Sequence, residues 1–153
     1  MILRLVHPGG RPSGPLESVA QEYLTRLQRY VRTDERFVKP SAAAETPRAL
    51  ADEAERIVQV VGPRDRLVLL DREARPWSSE ELADRLAAWH GMGLAALCVV
   101  LGSASGLDPS LRARANERWS LGPLTLPHDL ARVVMWEQIY RGFKILRGEP
   151  YHK

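Results

Sequence analysis

Apolar residues recur along the chain in two alternating periods: short continuous runs of strand length, and longer stretches in which they return every third or fourth position, as on one helix face. Met1 to Val6 reads as a buried strand. His7-Pro-Gly-Gly-Arg-Pro-Ser-Gly-Pro15 is dense in turn formers and reads as a loop. A helix is expected from about Leu16 to Val31, where Val19, Tyr23, Leu24, Leu27 and Tyr30 fall at helical spacing. Phe37-Val38 suggests a short strand. Thr46-Pro47 is a cap followed by proline at the first helical position, and Leu50, Ala54, Ile57, Val58 and Val61 form one face that ends at Gly62.

The second half repeats the alternation. Arg66-Leu-Val-Leu-Leu-Asp71 is an apolar strand ended by a carboxylate. Ser78 with Glu81 three residues on predicts a capping box and a helix to about His90. Leu94 to Leu101 is almost continuously apolar, as parallel strands covered on both faces tend to be. Gly102-Ser-Ala-Ser-Gly106 follows it, and Asp108-Pro109 caps a helix to about Arg118. This order predicts an α/β sandwich with a mainly parallel sheet, in one domain spanning residues 1–153.

Trp119-Ser-Leu-Gly-Pro-Leu-Thr-Leu-Pro-His128 then reads as a strand breaking into a loop. Gly122 permits backbone angles closed to other residues, and Pro123 and Pro127 lack amide donors. The remaining backbone groups of Leu121 to Leu126 are therefore free to face a ligand; the alternative is an ordinary strand-to-helix connection. In the last predicted helix, Leu130 to Arg147, the charged Glu137, Arg141 and Lys144 gather in one narrow stripe. Apolar residues cover most of the cylinder, so this helix should be buried on several sides, within its own chain or against a second copy. Three loops follow three strands, at Asp71, Gly102 to Gly106 and Leu121 to His128, and open α/β sheets bind ligands outside the carboxyl ends of their strands.

Composition narrows the classes. With 44% hydrophobic and 27% charged residues, the 153-residue chain has material for one sizeable core. No apolar run approaches the roughly eighteen residues of a membrane span, and a cytosolic protein is expected. Cys98, the single cysteine, lies inside an apolar run and suits a small buried side chain; four scattered histidines give little support to a metal site. Residues 1–106 carry 14 basic and 14 acidic side chains, and residues 107–153 carry 8 and 5, so the whole net charge of +3 is C-terminal. That excess, largely arginine, is a weak hint of a polyanionic partner. The Gly102 loop fits neither GxGxxG nor GxxxxGK[ST], which disfavours a dehydrogenase or a kinase.

Several segments together resemble the ribosomal RNA large-subunit methyltransferase H family, the minimal form of the SPOUT class. They are Leu69-Leu-Asp71, Trp77 to Ala83, Gly102-Ser-Ala-Ser-Gly-Leu107, Ser120 to His128, Arg132-Val, Glu137-Gln-Ile-Tyr-Arg141 and Gly148-Glu-Pro-Tyr-His-Lys153. Order and spacing match from about Leu67 onward; before that only the order of elements and Glu22-Tyr23-Leu24 agree. The resemblance implies a SPOUT-type fold with a C-terminal trefoil knot, working as a cytoplasmic homodimer. It implies an S-adenosylmethionine-dependent enzyme that methylates N3 of pseudouridine 1915 in 23S ribosomal RNA, on the large subunit or the assembled ribosome. The donor pocket would map onto Leu70, Gly102, Ser103, Leu121, Gly122, Pro123, Leu124, Thr125 and Leu126. His152, Tyr151 and Arg141 would carry catalysis, and Arg132 and Lys153 would contact RNA.

Two departures stand out. Ser103 occupies a position where the family usually has a second glycine, which adds a side chain where backbone approaches the donor. The loop from Gly9 to Pro15 lacks the family's usual basic pattern. A fold-preserving chain that had lost donor binding through Ser103 would be a non-enzymatic ribosome-binding module, and titration with S-adenosylmethionine separates the two readings. For the imide proton on N3, the candidate bases are His152, placed first, then His128 and Asp71. His128 could instead bond the backbone at a helix start, and Asp71 could be a loop cap. Arg141 lies one turn from Glu137 and could simply pair with it.

Overall fold

The computed structural model describes residues 1–39, 46–102 and 106–151. Within them ten elements alternate: β1 (Ile2–Pro8), α1 (Pro15–Leu27), β2 (Arg32–Val38), α2 (Pro47–Val60), β3 (Arg66–Leu70), α3 (Ser79–Gly91), β4 (Ala96–Leu101), α4 (Pro109–Arg114), β5 (Glu117–Trp119) and α5 (His128–Leu146). The five strands form one sheet in the order β2-β1-β4-β3-β5, and every pairing is parallel.

Side-chain alternation along the strands divides the core. Val68, Leu70, Leu97, Val99 and Leu101 point to the side covered by α1, α3 and α5. Leu67, Leu69, Ala96, Cys98 and Val100 point to the side of α2 and α4. All six residues of β4 are buried, and this is why its sequence shows no polar alternation. Burial pushes the Cys98 thiol up to about 12, so it is an inert packing group.

The expected start signals form as bonds. Thr46 Oγ1 accepts from the Ala49 amide at 3.2 Å. Ser78 and Glu81 make both halves of the capping box, at 3.1 and 2.8 Å. Asp108 caps α4 through the Ser110 amide at 2.8 Å. Three elements differ from expectation. β2 extends over seven residues because it borders the sheet, where one flank needs no apolar side chains. α1 stops at Leu27 rather than Val31. α4 ends at Arg114, and Glu117 to Trp119, expected to be partly helical, pair with β3 instead.

No residue of α5 before Leu146 is exposed, as its all-round apolar pattern foretold. It packs against α1 and α3, and a Cβ built on Gly142 would stand 2.7 Å from Leu86 Cδ1, so glycine there sets how closely α3 and α5 approach.

Candidate active site

The carboxyl ends of β3, β4 and β5 open onto a cavity of about 760 Å³. It lies outside the carboxyl ends of parallel strands, where open α/β sheets bind ligands. Its walls include Leu70, Gly102, Leu121, Gly122, Leu124, Thr125 and Leu126, so loops distant in sequence meet here. Pro123 does not line it. Ser103 lies outside the described residues. Leu101, Leu107, Trp119, Ser120, His128 and Ala131 complete much of the wall. Apolar positions of this kind are indistinguishable in the sequence from core.

The loop after β5 is held from below. Ser120 Oγ accepts from the Gly122 amide and donates to the Gly122 carbonyl, both at 3.1 Å, and Gly122 adopts φ 118°, a conformation that favours glycine. Among the described residues, no hydrogen bond engages the amides of Leu124, Thr125 or Leu126. Leu124 is 77% exposed. Unbonded amides beside apolar side chains suit a flat heterocycle with edge acceptors. On the facing loop, a Cβ on Gly102 would meet the Leu70 carbonyl oxygen and Leu107 Cγ at 3.3 Å. Trp119 stacks on Trp77 at 5.4 Å, and its buried Nε1 lacks a partner among the described residues.

Asp71 is committed to structure. Its carboxylate accepts from the Glu73 amide at 3.0 Å and pairs with Arg112 and Arg118 at 3.2 and 3.3 Å. The Arg112 Nε contact is close enough for an ion pair but too far off line for a hydrogen bond, so it contributes charge without direction. Arg112 also reaches Glu73 at 3.0 Å and so ties the β3 loop to α4. With a backbone amide and two guanidiniums on its oxygens, Asp71 is a loop anchor. His128 lines the cavity and makes no capping bond, so the backbone-bonding reading of it does not hold.

Arg132, expected at an RNA phosphate, is 1% exposed. It makes a bidentate pair with Glu35 at 2.7 Å on both arms and a further bond to Glu17 at 2.5 Å. Its position on α5 faces inward toward α1 and β2, so it fastens three elements and cannot touch RNA. Much of the C-terminal positive charge is likewise paired internally: Arg141 with Glu137, Lys144 with Glu149, and Arg112 and Arg118 with Asp71.

Tyr151 is held away from these loops. Tyr151 donates to Glu137 Oε1 at 3.2 Å, sets its ring edge-on to Tyr140 at 5.0 Å, and carries the Arg141 guanidinium 4.8 Å from its centroid. Burial, then a hydrogen bond given to Tyr23, pushes its phenol well up, so it acts as a donor near neutral pH. Tyr30 fixes Glu149 at 2.8 Å. His152 and Lys153 lie outside the described residues. Ala131 lines the cavity and Tyr140 packs on Tyr151, and the two lie nine positions apart along α5, roughly 13 Å of helix. Arg141 and Tyr151 are therefore not brought into the cavity of their own chain.

A parallel α/β sheet with a backbone-rich cavity at its strand ends defines a ligand-binding α/β protein, and comparison with known proteins narrows the class. Residues 1–152 match the family described as predicted SPOUT methyltransferase. The chain is 38% identical over 156 positions to ribosomal RNA large subunit methyltransferase H of Pseudomonas aeruginosa, covering 100% of both chains. It is 37% identical to that of Pseudomonas putida, also over 100% of both, and 35% identical to that of Hahella chejuensis, over 100% of this chain and 99% of the other. A solved structure of a probable methylase family protein from Haemophilus influenzae shares the fold, with TM-score 0.53 and 16% identity, over 99% of this chain and 70% of that one. The chain belongs to the ribosomal RNA large subunit methyltransferase H family of SPOUT methyltransferases.

Proposed function

We propose that this protein transfers a methyl group from S-adenosylmethionine to N3 of a pseudouridine in large-subunit ribosomal RNA, acting in the cytoplasm as a homodimer. The observation that carries the reading is the cavity at the ends of β3, β4 and β5, walled by Leu121 to Leu126 with unbonded amides, in a chain that matches rRNA methyltransferases along its whole length. Bound there, the donor supplies an electrophilic methyl group on a sulfonium centre. The amides of the loop after β5 would hold the donor's polar edge, Leu70, Leu107 and Leu124 would supply apolar contact, and Gly102 would let backbone approach. Positioning then provides most of the acceleration, up to roughly 7 to 11 kcal/mol in well-oriented cases. Ser103 remains the position where a side chain would crowd the donor.

The separation of tail and cavity supports a dimer. If Tyr151, His152 and Arg141 act on the target base, they act at the cavity of a second copy. The free face of α1 and the end of α5 offer a surface for that copy: Leu16, Val19 and Leu146 are 36%, 38% and 41% exposed, beside Tyr23 and Tyr140. A stable association would bury more than about 1,200 Å² in total. Lys153 would add a phosphate contact. A threaded C-terminal segment, the trefoil knot of the family, fits a helix with no exposed residue before its last turn. The deciding experiment is nucleoside mass spectrometry of ribosomal RNA from a deletion strain, before and after pure protein and donor are added. Appearance of N3-methylpseudouridine is expected, and an unchanged profile with competent ribosomes would refute the proposal.

A further inference from the structure

His7, the last residue but one of β1, lies one position beyond the Val6–Val100 pair, level with the cavity-lining Leu101. Only 3% exposed, it is one of few buried polar side chains, and nothing above gives it a task. Its Nδ1 lies 3.1 Å from the Pro8 carbonyl, which can only accept, so Nδ1 carries the proton and Nε2 presents a lone pair. That Nε2 is buried without a partner. Burial, then the neighbouring His128 and Arg132, disfavour a positive ring, against the Pro8 carbonyl and Glu35, so His7 stays neutral and Nε2 can only accept.

Few donors surround it. Phe37, 5.3 Å away and capped by the Arg11 guanidinium, has none to give. Arg132 and Trp136 donate to Glu35, and Arg132 also to Glu17. Of the two rings packed on it, the one that can donate is the His128 imidazole, edge-on at 5.5 Å and 70°, itself on the cavity wall. A turn of that ring would carry an N–H toward His7 Nε2. The two nitrogens of an imidazole face different ways, so the other then presents its lone pair away from the core, toward the cavity.

We propose that His7 is a positioning residue that fixes the tautomer of His128 and so turns a proton-accepting nitrogen of His128 toward the cavity. This rests on the methyltransferase reading, and it selects His128 over His152 as the base. The imide proton of the target base passes to His128, whose second N–H stays on His7 Nε2. The freed pair on N3 forms the bond to the methyl carbon as the carbon–sulfur bond breaks, and that bond's pair returns to sulfur as a neutral thioether. His128 then releases its proton to solvent.

Two readouts test the assignment. In the protein without donor or RNA, ¹⁵N NMR of the four histidines should show one tautomer for neutral His128, a mixture in His7→Phe, and one again in His7→Gln, whose amide oxygen restores an acceptor. A tautomer mixture in the unaltered protein, or the same population in His7→Phe, overturns the pairing, and the first of these needs no variant. In single-turnover methylation of large subunits, His7→Phe should lower the rate about tenfold or more and leave donor affinity unchanged. His7→Gln should recover most of the rate, and His128→Ala should lower it at least as far. A normal rate in His128→Ala would refute the catalytic part. Absence of methylation by the unaltered protein would refute the functional reading instead, and the tautomer measurement would still decide the pairing.

Discussion

Replacing Arg132 by alanine should unfold this protein more readily and leave its intrinsic RNA contacts alone. Arg132 is 1% exposed and binds Glu35 with two parallel bonds and Glu17 with a third, while Trp136 Nε1 shares Glu35 at 2.9 Å. The Glu35 side chain is itself only 10% exposed, so removing the guanidinium strands a carboxylate away from water. Breaking a buried pair by deleting one partner costs about 3 to 5 kcal/mol. For a domain of this size that is roughly 6 to 20 °C in melting temperature. Urea unfolding followed by circular dichroism gives the free energy. Arg132→Met combined with Glu35→Gln, which keeps an acceptor for Trp136 and removes the stranded charge, should recover at least half of the loss. A phosphate-contacting arginine behaves in the opposite way: its removal leaves stability within about 0.5 kcal/mol and lowers the salt slope of RNA binding by about 0.7 to 0.9. That second pattern would refute the buried assignment.

Three further outcomes are expected. Gly102→Val should weaken S-adenosylmethionine binding more than tenfold by calorimetry with a native circular dichroism spectrum, since its Cβ already meets the Leu70 carbonyl oxygen at 3.3 Å; unchanged affinity would place the donor elsewhere. Deleting Tyr151 to Lys153 should spare donor affinity and dimer mass by light scattering yet abolish transfer, and mixing that variant with Gly102→Val should restore some activity through a hybrid dimer; full activity of the truncated protein would return the tail to a purely structural role. The lowered pKa of buried His7 predicts pH-dependent stability. Below about pH 6.5 the unfolded chain takes up a proton that the folded state refuses, so stability should fall as pH drops from there toward the folded value, by up to about 1.4 kcal/mol per unit, and His7→Phe should flatten that part of the urea-midpoint profile.

Local rules settled much of the architecture before any tertiary contact was known. The capping bonds of Thr46, Ser78 and Asp108 involve residues three apart or fewer, so spacing alone announces them. β4 is apolar throughout because both its faces are covered, and α5 because both its sides are packed, so burial wrote itself into their composition. The turn at Gly122 follows from glycine's freedom at positive φ. The three strand-end loops followed from the order of elements and the family resemblance named residues on the same loops; Leu70, Gly102 and Leu121 to Leu126, Pro123 excepted, do meet around one cavity. What the sequence left open depends on partners far along the chain. Nothing near position 132 reveals that Glu17 and Glu35 wait there, so an arginine in a basic segment looked like a phosphate ligand. Asp71 read more readily as a loop cap than as a base, but nothing nearby showed that Arg112 and Arg118, more than forty residues away, close on it. β2 has little apolar signal because a border strand is defined by its neighbour rather than by its own side chains. The distance from tail to cavity is set by the length of α5 and by the contacts of Tyr151 with Glu137 and Tyr140, and His7 meets His128 only because parallel pairing sets the end of β1 beside the cavity. Sequence periodicity fixes which side of an element is buried; which charged group waits on the other side is decided by the fold.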